Sequence, residues 1–274
     1  MKDSKLVIFG MTKENSELKE EAKNKLVKES KAKIKIRLYD KDAKKNILAK
    51  KSNILFSTDI DDNISKSNII IIAVKPNQYK DVCINIKKYK SKSSIVVSLM
   101  AGVKINSLTK ELGSKTSIIR AMTNINSKYG SATTFMFKNK FCKSNVVNIV
   151  KIFFNIFGTS HILKKEIEID KVTALVGSGP AYFIHFLEGI IQTFKNFGFS
   201  ESDSNAYAKE LFYGTAITCK NEQKSLLKIK NSVVSKGGTT DAALKKLTIL
   251  KFQDILEKSI KEAYSKAKQL GKNK

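Results

Sequence analysis

The residues best suited to chemistry lie in short segments where a helix is predicted to begin. Gly177-Ser178-Gly179-Pro180 precedes one helical stretch, and Ser235-Lys236-Gly237-Gly238-Thr239-Thr240 precedes another. Glycines beside hydroxyl residues at a helix start leave backbone N–H groups free, and the helix dipole there favours an anion. Each segment could therefore bind a carboxylate, although an N-cap with close helix packing explains either one alone at least as well.

The turn after the first apolar run could bind the pyrophosphate of a dinucleotide. The run Leu6 to Phe9 is followed by Gly10-Met11-Thr12-Lys13-Glu14-Asn15, which keeps only the first glycine of a GxGxxG pattern. A lone glycine after a strand is also common in ordinary turns. The second strand ends at Asp40-Lys41, where Asp40 would suit a ribose diol and Lys41 a 2′-phosphate, unless both simply face solvent.

Apolar runs predict a sheet domain that contains the turn at Gly10. Strands are predicted at Leu6 to Phe9, Ile34 to Tyr39, Ile69 to Val74, Ile95 to Leu99, Ile118 to Met122 and Ala132 to Phe137. Helices are predicted around Leu18 to Leu26, at Asn77 to Tyr89, at Ile105 to Leu112 and at Asn145 to Phe157, before a short apolar run at His161 to Leu163. Strands this apolar belong in a mostly parallel sheet covered on both faces, so residues 1–163 are predicted to form a Rossmann-like, doubly wound α/β domain.

Beyond residue 163 the strand signal stops and long helical periodicity replaces it. The predicted helices are Glu166 to Leu175, Ala181 to Phe197, Ser202 to Lys220 and Thr240 to Leu270. Residues 164–274 are therefore predicted to form an all-helical domain. Its apolar helix faces exceed what one short domain can cover alone, which predicts a dimer through this domain.

Composition limits the remaining function classes. The formal charge of +26 raises the question of nucleic-acid binding, but Arg37 and Arg120 are the only arginines, and the lysines are spread along the chain. A lysine-biased composition is the simpler explanation, and no specific nucleic-acid partner is expected.

Metal and membrane sites are not expected either. The three cysteines form no CxxC pair, and only two histidines could join them, so neither a disulfide framework nor a metal site is predicted. The longest apolar run, Ile69 to Val74, is far shorter than the roughly 20 residues of a spanning helix. No membrane association is predicted, and a cytoplasmic location is the default expectation.

Several of these segments, taken together, resemble the pyrroline-5-carboxylate reductase family in order and spacing. The matching stretches are IIIIAVKP at Ile69 to Pro76, VVSLMAGV at Val96 to Val103, IIRAMTN at Ile118 to Asn124, DKVTALVGSGPAY at Asp170 to Tyr182 and VVSKGGTTDAAL at Val233 to Leu244. The last is similar to the family signature, which usually reads SPGGTT. The resemblance covers nearly the whole chain.

The resemblance implies an NAD(P)H-dependent oxidoreductase that reduces the cyclic imine 1-pyrroline-5-carboxylate to L-proline, in proline biosynthesis. In this family an N-terminal Rossmann domain binds NADPH or NADH, and a helical C-terminal domain builds an interlocked homodimer that often assembles further. By position, the residues lining the dinucleotide would be Gly10, Met11, Ala73, Val74, Lys75, Pro76 and Ala101. The substrate would be bound by Glu166, Gly237, Gly238, Thr239 and Thr240. For Glu166, a solvated place in the first turn of its helix is an equal alternative.

The implied chemistry needs positioning more than acid catalysis, because a protonated imine is already an electrophile. Backbone N–H groups would bind the substrate carboxylate, and the Thr240 hydroxyl would be the catalytic group that hydrogen-bonds the ring nitrogen. Hydroxyacid dehydrogenases of related architecture commonly need a lysine after the Gly179-Pro180 position, and here none occurs before Lys195. His185 lies between phenylalanines on an apolar helix and is interpreted as a packing or interface residue.

Four departures from the family pattern leave an alternative open. Thr12 and Asn15 replace small residues of the glycine loop, Lys236 replaces the proline of SPGG, and Ile125-Asn126 stands where the family usually has Thr-Pro. Thr12 puts a side chain where the backbone should approach the pyrophosphate, so weakened dinucleotide binding is expected. The alternative function is a catalytically impaired family member kept as a dimeric binding or structural protein.

Overall fold

The structure is a computed structural model that describes residues 4–9, 34–51 and 54–272. Elements are numbered in chain order within these ranges. The turn at Gly10 to Asn15 and the helix predicted around Leu18 to Leu26 lie outside the described residues, as do the cofactor-binding predictions for Gly10 and Met11.

The centre of the described fold is an eight-stranded sheet with the order β3-β2-β1-β4-β5-β6-β7-β8. Its strands are β1 (Ser4–Phe9), β2 (Ile34–Tyr39), β3 (Leu55–Ser57), β4 (Ile69–Ile72), β5 (Ile95–Ser98), β6 (Ser117–Met122), β7 (Ala132–Lys138) and β8 (Gly158–Ile162). Neighbouring strands pair in parallel except for β6 and β7, which are antiparallel. This mixed, largely parallel sheet confirms the predicted Rossmann-like class.

The helices of the described residues are α1 (Asn46–Lys51), α2 (Tyr79–Tyr89), α3 (Ile105–Leu112), α4 (Ser144–Asn155), α5 (Ile167–Val172), α6 (Gly179–Asn196), α7 (Glu201–Asn221), α8 (Leu226–Ser232), α9 (Thr239–Ile249) and α10 (Phe252–Lys272). A π turn, Thr173–Gly177, follows α5 directly. The chain after α5 is helical, as predicted.

Alternate residues of the central strands face two different cores because strand side chains point to opposite sheet faces. Ile69 and Ile71 of β4 belong to the core that α4 covers with Val147, Val150, Phe153 and Phe154. Ile70 and Ile72 belong to the opposite core, which α2 and α3 cover with Cys83, Ile86, Leu108 and Leu112. Burial on both faces explains why β4 is an unbroken run of isoleucines.

By its internal contacts the chain divides into two compact units. One comprises residues 1–178 with 263–274, and the other comprises residues 179–262. The domain division predicted between residues 163 and 164 stays a prediction, because a compact unit need not coincide with a domain.

Several details differ from the sequence-based expectation, among them the unpredicted helix α1. The helix predicted from Thr240 to Leu270 is two helices, α9 and α10, separated at Lys251, whose φ is 54°. Strand β3 was not predicted because its three residues are too few to show a period. Helix α8 was not predicted either, since its seven residues span only two turns.

Candidate active site

The predicted cofactor residues of the described chain lie at one edge of the sheet. Strands β1 and β4 are neighbours although β2 and β3 intervene in sequence, so the strand order reverses between them. Open α/β sheets bind ligands at such a reversal, beyond the carboxyl ends of the strands. Ala73 to Pro76 follow β4, and Ala101 follows the adjacent β5.

The backbone at this edge fits a dinucleotide. Ala73, Val74, Pro76 and Ala101 are partly exposed and Lys75 is exposed, so each remains accessible beyond the buried strand ends. Gly102, next to Ala101, has a φ of 73°, a conformation that a side chain would disfavour. The direct role of these residues in cofactor binding remains a proposal.

A buried arginine between two carboxylates lies further along the sheet. Arg120 of β6 is 1 % exposed, and its Nη1 and Nη2 atoms each lie 2.9 Å from a carboxylate oxygen, one of Glu166 and one of Asp170. Asp170 is buried as well, whereas Glu166 is partly exposed. Sequence reasoning missed this cluster, although a charged residue inside the apolar run Ile118 to Met122 was a signal for it.

Glu166 is bound through one oxygen. Its Oε1 atom accepts from Arg120 and also, at 2.8 Å, from the backbone N–H of Ile105. In the described part of the chain, Oε2 has no hydrogen-bond partner, and any contact of Glu166 with a substrate is left to that atom. The predicted substrate role of Glu166 stays a prediction.

The segment Val176-Gly177 is held against the end of β6. The Asn124 amide donates to the Val176 carbonyl at 3.2 Å, and a Cβ on Gly177 would lie 3.1 Å from the Met122 sulfur. The Ser178 N–H donates to the Thr173 carbonyl, which closes the π turn. These contacts favour close packing over anion binding as the reason for Gly177.

The other glycine segment begins α9 and belongs to the unit of residues 179–262. Gly237 has a φ of 75°, and its N–H donates to the Asp241 carboxylate at 2.9 Å. A Cβ on Gly238 would lie 2.3 Å from the Ser235 hydroxyl oxygen and 3.2 Å from the Ser235 carbonyl oxygen, so a side chain there would require Ser235 to move. The bond from the Gly237 N–H to Asp241 and one from the Gly238 N–H to the Ser235 carbonyl therefore hold the shape of the loop.

The start of α9 presents donors to solvent. In the part of the chain that the structure describes, the N–H groups of Thr239 and Thr240 have no acceptor, as expected for the first turn of a helix. Hydrogen bonds from Lys245 and from the Gly237 N–H lower the pKa of Asp241. Asp241 is thus anionic, and Lys245, at 2.8 Å, offsets its charge.

Neither histidine lies within a group suited to metal binding. The His185 side chain is 89 % exposed and contacts Glu188, while His161 stacks on Phe135. Over residues 4–9, 34–51 and 54–272, no three His, Cys, Asp or Glu side chains are grouped to hold a metal ion.

Comparisons with known proteins agree with this arrangement of sheet and helices. Residues 166–270 match the family model for pyrroline-5-carboxylate reductase dimerisation, and residues 19–102 match the model for NADP oxidoreductase, coenzyme F420-dependent. A pyrroline-5-carboxylate reductase of Aquifex aeolicus is 30 % identical over 231 residues, which cover 84 % of this chain and 86 % of the relative.

The chain belongs to the pyrroline-5-carboxylate reductase family. The structure of the Plasmodium falciparum enzyme with NADP bound has a TM-score of 0.85 at 27 % identity and covers 98 % of both chains. The structure of the Coxiella burnetii enzyme has the same fold, with a TM-score of 0.85 at 24 % identity over 97 % of this chain and 98 % of that one.

The family membership defines the class of the protein. It is an oxidoreductase with a pyrroline-5-carboxylate reductase dimerisation domain, and the comparisons support the predicted cofactor, NADPH or NADH. The individual residues of the site are not decided by these likenesses.

Proposed function

We propose that this protein reduces 1-pyrroline-5-carboxylate to L-proline with NADPH or NADH. The observation that carries the proposal is the start of α9, where the family signature at Ser235 to Thr240 forms a loop in which the Thr239 and Thr240 N–H groups have no acceptor among the described residues. Such a helix start suits the carboxylate of the substrate, since the helix dipole and the free donors both favour an anion.

In the proposed mechanism the protein mainly positions the imine. The N–H groups of Thr239 and Thr240 bind the substrate carboxylate, in the loop that Gly237 and Gly238 shape, and the Thr240 hydroxyl hydrogen-bonds the ring nitrogen as it becomes an amine. The Lys245 ion pair keeps the Asp241 charge from repelling the substrate carboxylate. The bound dinucleotide supplies the hydride. A separate strong acid is unnecessary, because the imine nitrogen is already protonated when hydride arrives.

The proposed cofactor contacts are those at the carboxyl ends of β4 and β5. Ala73, Val74, Lys75 and Pro76 would line the dinucleotide from one strand and Ala101 from the next. Gly10 and Met11 complete the proposed set from outside the described residues.

The proposed assembly is a cytoplasmic homodimer or higher homo-oligomer. Helices α6 and α7 expose a set of large apolar side chains: Phe183, Ile184, Phe186, Leu211, Phe212, Tyr213 and Ile217. Among the described residues one helical stretch, Ile167–Asn196, would by length and composition alone be able to cross a membrane. Burial of its apolar side chains in a dimerisation domain accounts for the same composition.

The decisive experiment is nucleotide oxidation by purified protein with 1-pyrroline-5-carboxylate and each cofactor in turn. Oxidation that depends on the imine, with proline as the product, is expected with at least one cofactor. Tight nucleotide binding without turnover would instead support the impaired alternative. Failure to bind either nucleotide in a fluorescence titration would contradict the proposal.

A further inference from the structure

Stability alone does not account for Arg120. Removing a cation from water is costly, and well-packed apolar residues commonly replace buried ion pairs without loss of stability. The Arg120 guanidinium is nevertheless buried, and its Nε atom has no hydrogen-bond partner within the described residues. The buried Arg120 guanidinium is better explained by the positions in which it holds the carboxylates of Glu166 and Asp170.

That geometry reaches the N-terminus of α3. The residue before this helix, Lys104, makes no side-chain capping bond, and the first turn of α3 contains no acidic residue. The N–H of Ile105 instead donates to Glu166, which lies 61 positions later in the chain. Glu166 therefore does for α3 what a local N-cap normally does, while Arg120 fixes the orientation of the same oxygen.

The segment before α3 carries a proposed cofactor contact. Ala101 lies between the end of β5 and Ile105. At the start of this loop the Met100 N–H donates a hydrogen bond to the Ser98 hydroxyl. Gly102 and Val103 within this loop are buried. The loop is thus restrained at Met100 by the bond to Ser98 and at Ile105 by the bond to Glu166.

We propose that Arg120 and Glu166 are positioning residues for dinucleotide binding. Asp170 holds the Arg120 guanidinium through an ion pair, and the guanidinium orients the Glu166 carboxylate. Glu166 in turn holds the start of α3 through the Ile105 N–H, and so restrains the loop that contains Ala101. The link to the dinucleotide rests on the proposed function, whereas the link from Glu166 to α3 does not.

The test compares Glu166→Ala with Glu166→Gln, which keeps an oxygen for the Ile105 N–H. Glu168→Ala is the matched control, because Glu168 lies two residues later, in the first turn of α5, and among the described residues accepts only the backbone N–H groups of Lys164 and Lys165. The readouts are amide hydrogen exchange across Ile105–Leu112, the Kd of reduced nucleotide by fluorescence, and KM and kcat for both substrates.

Glu166→Ala is expected to accelerate exchange at the start of α3 and to raise the nucleotide Kd about tenfold, the scale of one lost charge-assisted hydrogen bond. KM for the nucleotide should rise together with its Kd. Glu166→Gln should recover most of the loss, and Glu168→Ala should leave α3 exchange and Kd unchanged. If Glu166→Ala does not fold, Glu166→Asp replaces it, since it keeps the charge but shortens the reach to Ile105.

Unchanged α3 exchange in Glu166→Ala would overturn the inference, and so would a Gln variant as impaired as the Ala variant. A raised KM for the imine with an unaltered nucleotide Kd would make Glu166 a substrate ligand instead. If the parent protein binds no nucleotide, the proposed function fails, and the exchange measurement still decides whether Glu166 holds α3.

Discussion

At the scale of single residues, Thr240 and Arg120 have different proposed roles. Thr240 is a partly buried side chain at a helix start and is proposed to touch the reacting atoms. Arg120 is inside the sheet domain and acts through other residues. Substitution should therefore lower turnover at Thr240, and should lower stability and nucleotide affinity at Arg120.

Thr240→Ala should lower kcat by about 10- to 100-fold, since a hydrogen bond to a group that changes charge contributes roughly 1.5–3 kcal/mol. The nucleotide Kd should stay within about twofold, because the hydroxyl acts on the imine. Steady-state kinetics with a parallel nucleotide titration measures both quantities. Thr240→Ser keeps the hydroxyl and should retain most of the activity; an Ala variant with parental kcat would remove Thr240 from the mechanism.

Arg120→Met should destabilise the fold by about 3–5 kcal/mol, because the Asp170 carboxylate would be left buried without its counter-ion. The double variant Arg120→Met, Asp170→Leu should regain much of that stability while losing the link to Glu166. Urea unfolding at fixed protein concentration measures the difference. A single variant as stable as the parent would show that Asp170 is readily hydrated or neutralised.

The arginine cluster shows what local sequence could not provide. Arg120 was visible as a charge within an apolar strand, yet its partners Glu166 and Asp170 lie 46 and 50 positions later. No local period connects residues that far apart. The start of α9 at Thr239, in contrast, could be predicted because the glycines and hydroxyls that mark a helix start are contiguous there.

At the scale of elements, the boundaries of helices and strands could be predicted where a single local sequence signal determines them. Helix α3 has the predicted bounds, Ile105–Leu112, and Gly113 with a φ of 107° ends it. The division of α9 from α10 was missed because helical periodicity continues through Lys251, where a non-glycine residue adopts positive φ. The antiparallel direction of β7 depends on tertiary pairing and leaves no mark on the pattern of the strand itself.

Gly158 is essential to the pairing of β7 with β8. Its φ is 144°, and a Cβ there would lie 1.9 Å from the carbonyl oxygen of Ala132, its partner in the strand register. Gly158→Ala should cost at least about 3 kcal/mol, because backbone strain adds to a clash that only backbone movement relieves. Gly113→Ala is the matched control, with strain but no contact closer than 3.7 Å, and should cost about 1–2 kcal/mol. Equal losses in urea unfolding would contradict this account.

Strand β2 is joined to the turn after β3 through Asp61, and this connection should depend on pH. Burial acts to raise the pKa of Asp61, but hydrogen bonds from Tyr39 and Asn63 and the charge of Arg37 hold it below the ordinary value of 3.8. A carboxyl group with a lowered folded pKa stabilises the fold above its unfolded pKa and loses that effect as pH falls through the folded value.

Asp61→Asn should therefore lower the urea midpoint at pH 7, and the difference from the parent should shrink as pH falls below about 4. Asp59→Asn is the control, since Asp59 is exposed and, within the described residues, its carboxylate accepts only from Thr58. A difference that is constant from pH 7 to about 2 would show that the Asp61 charge is not responsible.

At the scale of the whole molecule, the division into sheet and helices was the most predictable feature. Strand and helix periods differ, so a change of period along the chain is visible without any tertiary information. What the helices pack against is a separate question. The unit of residues 179–262, described by itself, leaves large side chains such as Phe183, Leu211 and Tyr213 exposed, as expected if a second copy covers them.

A charge placed on these helix faces should separate the dimer. Leu211 of α7 is 58 % exposed, and Leu55 at the sheet edge is 60 % exposed, so the two leucines differ in location rather than in accessibility. Burying an unpaired carboxylate costs several kcal/mol, whereas an exposed one costs little. Leu211→Asp should therefore shift sedimentation equilibrium toward monomer, while Leu55→Asp should stay dimeric like the parent.

Loss of the dimer in both variants would point to general destabilisation, and a parent that is monomeric at every concentration would refute the dimer. In that last case binding of the parent to lipid vesicles would be the next measurement, because the apolar stretch Ile167–Asn196 would still need a partner.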